Sequence, residues 1–518
     1  MRKLILILLV MVAALSITAV SAEGNATNIV SEADVPSDGD VLSQDVVDEV
    51  PIGEDIVSED RPAEDQPEVE KTTSIITASK VKGYETFTTT INIKLTSNGT
   101  ALASKPIKIV LNGVTYNKNT DKNGEVNLNV KLKTGTYTAA ISYSGDDLTS
   151  NATKDCKVTI KDPIKTKMVL GDKYINYRQG SKCQFYVKLL DLNGNAIKNQ
   201  YVTFKVAGKK YSAKTDKNGV AQVFLKLKKG KYKVKYSFKK TSPYLASSGS
   251  HTIKVKAKIP KGNGYWLWAA HMKSISLKSL SKKGTKHLFL HVQALSSYGK
   301  SSVVSFIKTA HKYGIKVHLW MQVCYSGSGW VRPIDDNNNI KYSFLNKKIK
   351  EAKRYAKITG VDGIHFDYVR FGGTAHLYKD PNRAINYFMK KASTKIHKIK
   401  PNCIVSAALM PEPSMMTYYY GQDVSTMSKY ADALIPMVYK GNYKQTRSWV
   451  TSVTKTFVGQ SNGAQIWTGL QSYHSDENTK KLSQSSLLKD AKAAKNGGAL
   501  GVVLFRMGIS CNFNFKKV

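Results

Sequence analysis

The 518-residue chain reads as a multidomain protein: two all-β immunoglobulin-like sandwiches followed by an α/β (β/α)8 TIM barrel. Three observations predict this. Thr120-Asp121-Lys122-Asn123-Gly124 recurs as Thr215-Asp216-Lys217-Asn218-Gly219, 95 residues further on. Within each copy, short alternating strands such as Ile91-Asn92-Ile93-Lys94-Leu95 and Tyr232-Lys233-Val234-Lys235-Tyr236 are punctuated by Asn-Gly and Lys-Gly turns, the signature of a small sandwich. From Gly264 onward, eight short apolar strands alternate with amphipathic stretches over about 255 residues, the count and length of a barrel.

In chain order, residues 1–22 have a basic start (Arg2, Lys3), an apolar run from Leu4 to about Val20 and a small-residue cleavage site at Val20-Ser21-Ala22. This is a signal peptide, so the expected location is extracellular or at the cell surface. Membrane contact is expected only through that segment if it stays uncleaved. Residues 23–72 are acidic and nearly free of aromatics, an extended linker that cannot bury enough apolar surface to fold. The sandwiches are expected at 73–162 and 163–257, and the barrel at 260–518. No anchor or sorting signal is expected after the last strand.

The net charge of +40 hides a segregation. Residues 23–70 hold 16 acidic side chains and one basic one, Arg61, whereas 71–518 hold 75 basic and 22 acidic, a difference of +53. Such a surface attracts polyanions, and in an exported protein an anionic cell-wall or envelope polymer is the expected partner, with no nucleic acid. The five cysteines (Cys156, Cys183, Cys324, Cys403, Cys511) are scattered and odd in number, which argues against a disulfide framework and against structural zinc.

Barrel strands are expected at 265–270, 287–293, 315–323, 361–367, 403–409, 432–438, 464–470 and 499–505, with helices at 301–313, 344–358, 381–399, 444–457 and 481–495. Barrels of this kind do their chemistry at the carboxyl ends of the strands. Asp367 ends strand 4, and Glu412, held between Pro411 and Pro413, follows strand 5. Asp432 starts strand 6 at the opposite, stability face. The mouth is expected to hold Trp268 and His271 after strand 1, Gln293 after strand 2, Trp320, Gln322, Tyr325 and Trp330 on and after strand 3, and His365, Tyr368 and Arg370 around strand 4. Tyr439, Gln471, Tyr473 and Arg506 follow strands 6, 7 and 8. Two carboxylates on neighbouring strands among aromatics suit glycoside hydrolysis, one acid protonating the leaving oxygen while the other attacks or activates water, with sugars stacked on ring faces. His291, His318 and His365 fall on three successive strands. Without H-x-H or H-E-x-x-H they read as a polar layer, and no metal or other cofactor is expected.

Asp362-Gly363-Ile364-His365-Phe366-Asp367-Tyr368, followed by Val369-Arg370-Phe371, resembles the fourth strand of a group of barrels inferred to be glycoside hydrolases. Gly314-Ile315-Lys316-Val317-His318-Leu319-Trp320 and Ala431-Asp432-Ala433-Leu434-Ile435-Pro436-Met437-Val438-Tyr439 are similar to its third and sixth strands. The resemblance covers 264–518 and implies a catalytic barrel acting on a glycan, with Asp367 in the catalytic position. The chitinase pattern D-G-x-D-x-D-x-E would need acids at His365 and Val369, and has neither. The repeats resemble the Ig-like repeats of bacterial and methanogen adhesin-like surface proteins. The expected function is therefore a secreted or surface-attached glycosidase acting on cell-wall or extracellular polysaccharide through Asp367 and Glu412. The alternatives are a non-catalytic glycan-binding adhesin and a metal-dependent deacetylase or amidohydrolase.

Overall fold

The Thr-Asp-Lys-Asn-Gly repeat forms the same turn twice. Oδ1 of Asp121 accepts hydrogen bonds from the amides of Asn123 (2.8 Å) and Glu125 (2.9 Å), and Oδ1 of Asp216 does the same for Asn218 (2.8 Å) and Val220 (2.9 Å). Gly124 and Gly219 both sit at φ +72°, where a Cβ would strike the carbonyl oxygen of Leu95 or Leu189. The computed structural model describes residues 70–518, so the segment read as a signal peptide and nearly all of the acidic stretch read as a linker lie outside the described residues.

Each turn belongs to a pair of antiparallel-rich sheets with a shared core. In the first pair, Ser74–Ala78, Thr89–Ser97, Thr100–Ala101 and Glu125–Val130 face a five-stranded sheet. Its strands run in the order Val81–Tyr84, Ala152–Lys161, Gly135–Tyr143, Pro106–Leu111 and Val114–Asn119. Strict two-residue alternation turns Ile91, Ile109, Ile141 and Val158 inward from both sheets. In the second pair, Thr166–Leu170, Cys183–Asp191 and Val220–Leu225 face a sheet ordered Tyr177–Arg178, Ser247–Lys256, Gly230–Phe238, Tyr201–Val206 and Lys209–Lys214, around Phe185, Phe204 and Val234.

The remainder is a ring of parallel strands: β1 (Gly264–Leu267), β2 (His287–His291), β3 (Lys316–Gln322), β4 (Gly363–Asp367), β5 (Ile404–Leu409), β6 (Ala433–Pro436), β7 and β8 (Val502–Phe505). Strand β7 is broken at Trp467 into Gln465–Ile466, which pairs with β6, and Thr468–Gln471, which pairs with β8. A parallel bridge between Met437 and Gly469 completes the circle. The strands are buried along almost their whole length and rich in apolar residues because a parallel sheet inside a barrel is covered on both faces. Trp266, Phe289, Trp320, Ile435, Trp467 and Val503 fill the interior, while a larger cluster lies between strands and helices.

The helices are α1 (Leu277–Lys282), α2 (Gln293–Lys312), α3 (Tyr342–Ala356), α4 (Asn382–Ile399), α5 (Val424–Tyr430), α6 (Arg447–Gln460) and α7 (Gln484–Asn496). Short α1 and α5 escape periodicity. After β8 there is no eighth α-helix among the described residues, only the 3-10 turn Phe515–Lys517, whose Phe515 packs edge-on to Tyr265 at 5.3 Å. Helix α2 is kinked at Gly299 (φ +79°), so its regular part starts where the sequence pattern places it.

The second sandwich is bolted to the amino-terminal face of the barrel within one compact unit, Val69–Val518. Asp432, at the foot of β6, accepts hydrogen bonds from Arg178 Nε and Asn176 Nδ2, from His397 Nε2 at 3.1 Å and from the Val405 amide at 2.8 Å. Burial pushes the Asp432 carboxyl up, but the charge of Arg178 and its contact with His397 hold it well below the usual carboxylate range. Asp172 adds a contact to Lys390 Nζ (2.8 Å) and one to the Tyr430 hydroxyl (2.7 Å).

Candidate active site

The carboxyl ends of β3, β4 and β5 place the first acid. Asp367, the last residue of β4, points into the barrel and is 8 % exposed. Its Oδ2 accepts from Trp320 Nε1 on β3 at 3.0 Å, and its Oδ1 from the Tyr368 amide at 2.7 Å. Burial raises its pKa, against the opposing effects of the Tyr368 amide, the Arg370 charge and the Trp320 indole. Tyr368 holds φ +49°, a backbone conformation costly for a non-glycine residue, which aims its amide back at the carboxyl.

Glu412 sits on the loop after β5. Its Oε1 accepts from the hydroxyls of Tyr443 (2.6 Å) and Tyr420 (3.2 Å), while its buried Oε2 has no partner among the described residues. Burial raises its pKa too, against the two tyrosine hydroxyls. Glu412 is half-buried, and Asp367 lies deeper.

Arg370 connects the two acids, since its charge acts on both carboxyls. It makes no ion pair with either among the described residues. Its guanidinium instead lies 4.5 Å from the Trp330 ring centroid and 5.4 Å from those of Tyr368 and Tyr420. Tyr325, Trp330 and Tyr368 form one aromatic cluster at 4.9–5.6 Å between centroids, with Trp330 39 % exposed. On the other side, Trp268 stacks on His291 at 5.6 Å and meets Trp320 edge-on, and the Arg506 guanidinium lies 5.4 Å from the Trp268 ring. Tyr439 stacks on Phe505, its hydroxyl buried without a partner, and burial together with the Asp367 charge raises its pKa. Gln322 stands beside Asp367 in the strand register.

Several expected positions do other work. His365 is fully buried below the mouth, accepting from Trp266 Nε1 at 3.0 Å and meeting Ser406 Oγ at 3.0 Å. It is a layer residue, because two-residue alternation puts it one storey beneath Asp367. Gln293 is exposed at the start of α2. Strand β2 ends two residues earlier than the alternation suggests, so His291 takes the place at the mouth. Gln471 gives both ends of its amide to Asn442, from Nε2 to Oδ1 at 2.7 Å and from the Asn442 amide to Oε1 at 3.1 Å, and so braces a loop. His271 packs against Gly508 in the loop after β8. Tyr473 is buried and donates to Asp476 at 2.6 Å. Asp476, Tyr420 and Tyr443 were not singled out by sequence. Asp476 and Tyr443 lie on loops that carry no periodicity, and Tyr420 ends the short helical segment Met416–Tyr420, which only its run of three tyrosines marks. His287 and His318 face each other at 2.9 Å deeper in the barrel, and among the described residues no three His, Cys, Asp or Glu side chains converge as metal ligands.

Residues 295–465, which include both acids, match a family model described as "Putative glycosyl hydrolase domain". No curated protein matches the chain. Among solved structures, the spore cortex-lytic enzyme SleL of Bacillus megaterium QM B1551 is similar at 14% identity over 51% of this chain and 76% of its own, with a TM-score of 0.35. A class V chitinase from Pseudomonas fluorescens Pf-5 is similar at 12% identity over 49% and 97%, with a TM-score of 0.38. The fibronectin(III)-like modules of Clostridium thermocellum CbhA are similar at 16% identity over 35% and 94%, with a TM-score of 0.24.

Proposed function

We propose that the barrel is a glycoside hydrolase in which Glu412 is the general acid and Asp367 the partner carboxylate. The observation that carries this is the asymmetry of Glu412. Its Oε1 accepts two hydroxyl hydrogen bonds, so the proton of the neutral carboxyl resides on Oε2, the oxygen left without a partner. A buried carboxyl with a raised pKa and one free oxygen is suited to protonate a glycosidic oxygen. Asp367 is held by two N–H donors, which orient it and favour its charged form, as nucleophile or as the base for water. Arg370 adds fixed positive charge near both acids, and the Tyr325–Trp330–Tyr368 cluster offers faces on which a sugar ring stacks.

The family match over 295–465 supports a carbohydrate substrate. The sequence of residues 1–22 supports export, and we propose that the chain acts outside the cell, or attached to its surface, on wall or extracellular polysaccharide. The test is a turnover screen of the full chain against wall and envelope glycans beside Asp367→Asn and Glu412→Gln. Cleavage lost in both variants with folding intact supports the pair. Glycan binding without turnover in any form replaces it with an adhesin.

A further inference from the structure

The two sandwiches share a fold, a register and a turn, yet one face of the second has been recharged. On the outward side of its five-stranded sheet stand Lys205, Lys210, Lys214, Lys231, Lys233 and Lys235, all exposed. The strand register sets Lys205 directly opposite both Lys210 and Lys235, and Lys231 opposite Lys254. Like charges directly opposed across strands destabilise a sheet. None of these ammonium groups has a carboxylate within ion-pair distance among the described residues.

The first sandwich supplies an internal control. Ninety-five residues earlier, the positions corresponding to those lysines are Val110, Thr115, Asn119, Thr136, Thr138 and Ala140, and Lys254 corresponds to Thr159. The pairing is conserved between the copies: Val110 lies opposite Thr115 and Ala140, as Lys205 lies opposite Lys210 and Lys235. The fold therefore does not require the lysines. Lysines commonly protect edge strands from pairing with another chain, and that explains Lys210 and Lys214 on the edge strand Lys209–Lys214. It does not explain Lys205, Lys233 and Lys235 on interior strands. These three line a shallow groove of about 440 Å³ together with Ser237, Ser248 and Ser250.

We propose that this face is a docking surface for a flexible, single-chain polyanion with repeating phosphate or carboxylate groups. Lysines two apart on a strand are about 7 Å apart, and neighbours across strands about 5 Å, spacings that a linear polymer can follow. The face is built of strands and presents no helix to enter a duplex groove. Strand hydroxyls beside the ammonium groups add hydrogen bonds to anionic oxygens. The surface is independent of the catalytic reading, so either can fail alone.

The experiment uses the full chain with long-chain inorganic polyphosphate and poly-glutamate as probes, measuring Kd across a salt series. The triple variant K205Q/K233Q/K235Q is compared with K108Q/K118Q/K157Q, which removes the same charge from the first sandwich, and melting curves report folding of both. The first variant should bind at least tenfold more weakly, and its salt slope should fall by about two, since each lost phosphate contact removes about 0.7–0.9. The control should bind as the parent does. Binding of only one of the two polymers keeps the proposal and names the anion. Equal losses in the two variants, no loss in the first, or tighter binding to duplex DNA than to either polymer overturns it.

Discussion

The hydroxyl of Tyr443 stands 2.6 Å from Oε1 of Glu412, although the two residues belong to loops after different strands, β6 and β5. Two consequences meet there: the carboxyl is fixed in orientation, and its charged form is favoured by a donor that burial would otherwise leave it without. Removing the hydroxyl with Tyr443→Phe raises the Glu412 pKa further. If Glu412 works protonated, the alkaline limb of kcat/KM moves to higher pH and kcat falls as orientation loosens. A pH–rate profile in which that limb stays put, or moves down, contradicts the role given to Glu412.

Asp367 lies at the carboxyl end of β4 and not in the packed layers beneath it. Asp367→Asn should lower kcat by about 10²–10⁴-fold, the usual worth of a positioned carboxylate, with little change in melting temperature. Near-normal glycan cleavage by that variant removes Asp367 from the mechanism.

Trp330 is the most exposed ring of its cluster and carries Arg370 on its face. Trp330→Ala should raise KM for a glycan by about two- to tenfold with kcat almost unchanged, the pattern of lost uniform binding. A fall in kcat at constant KM would place Trp330 in the chemistry and not on the platform.

Three buried histidines make the barrel sensitive to acid. Burial holds His287 and His365 at about 3 and His318 well below its ordinary value, while in the unfolded chain they titrate near about 6.5. The unfolded state then binds more protons between these limits, so stability is fully present above about pH 6.5 and drains away as pH falls toward 3. Melting temperature should drop steadily from pH 7 to pH 4, and His365→Gln should flatten that slope. A melting temperature that is constant over this range would show that the layer is not titrating.

The clamp at Asp432 is the last test. Asp432→Ala leaves the Arg178 charge buried and should cost about 3–5 kcal/mol in urea unfolding. The replacement should also let the second sandwich and the barrel unfold at separate midpoints. Single, unshifted unfolding would mean that the two parts are held by other contacts.

The ring of strands was legible because most are short buried runs rich in apolar residues between amphipathic stretches, and β5 lies within a residue of its expected limits. The positions of Asp367 and Glu412 at or just after strand ends were legible because they follow such runs. What escaped depends on pairings far apart in sequence. Arg178 and Asp432 are 254 residues apart, and nothing local in either segment signals the other. Tyr443 and Asp476 sit on loops, where no period marks which side chain turns inward. Gln293 was misplaced for a simpler reason: two-residue alternation cannot tell where a strand gives way to a helix.

The clamp also divides the barrel into two poles. Asp432 holds the sandwich at the foot of the strands, level with Ile364 in the register, and Asp367 lies three residues further along, about 10 Å toward their other end. The contacts that hold the second sandwich and the carboxyl group proposed for chemistry are thus set toward opposite ends of the same ring of strands.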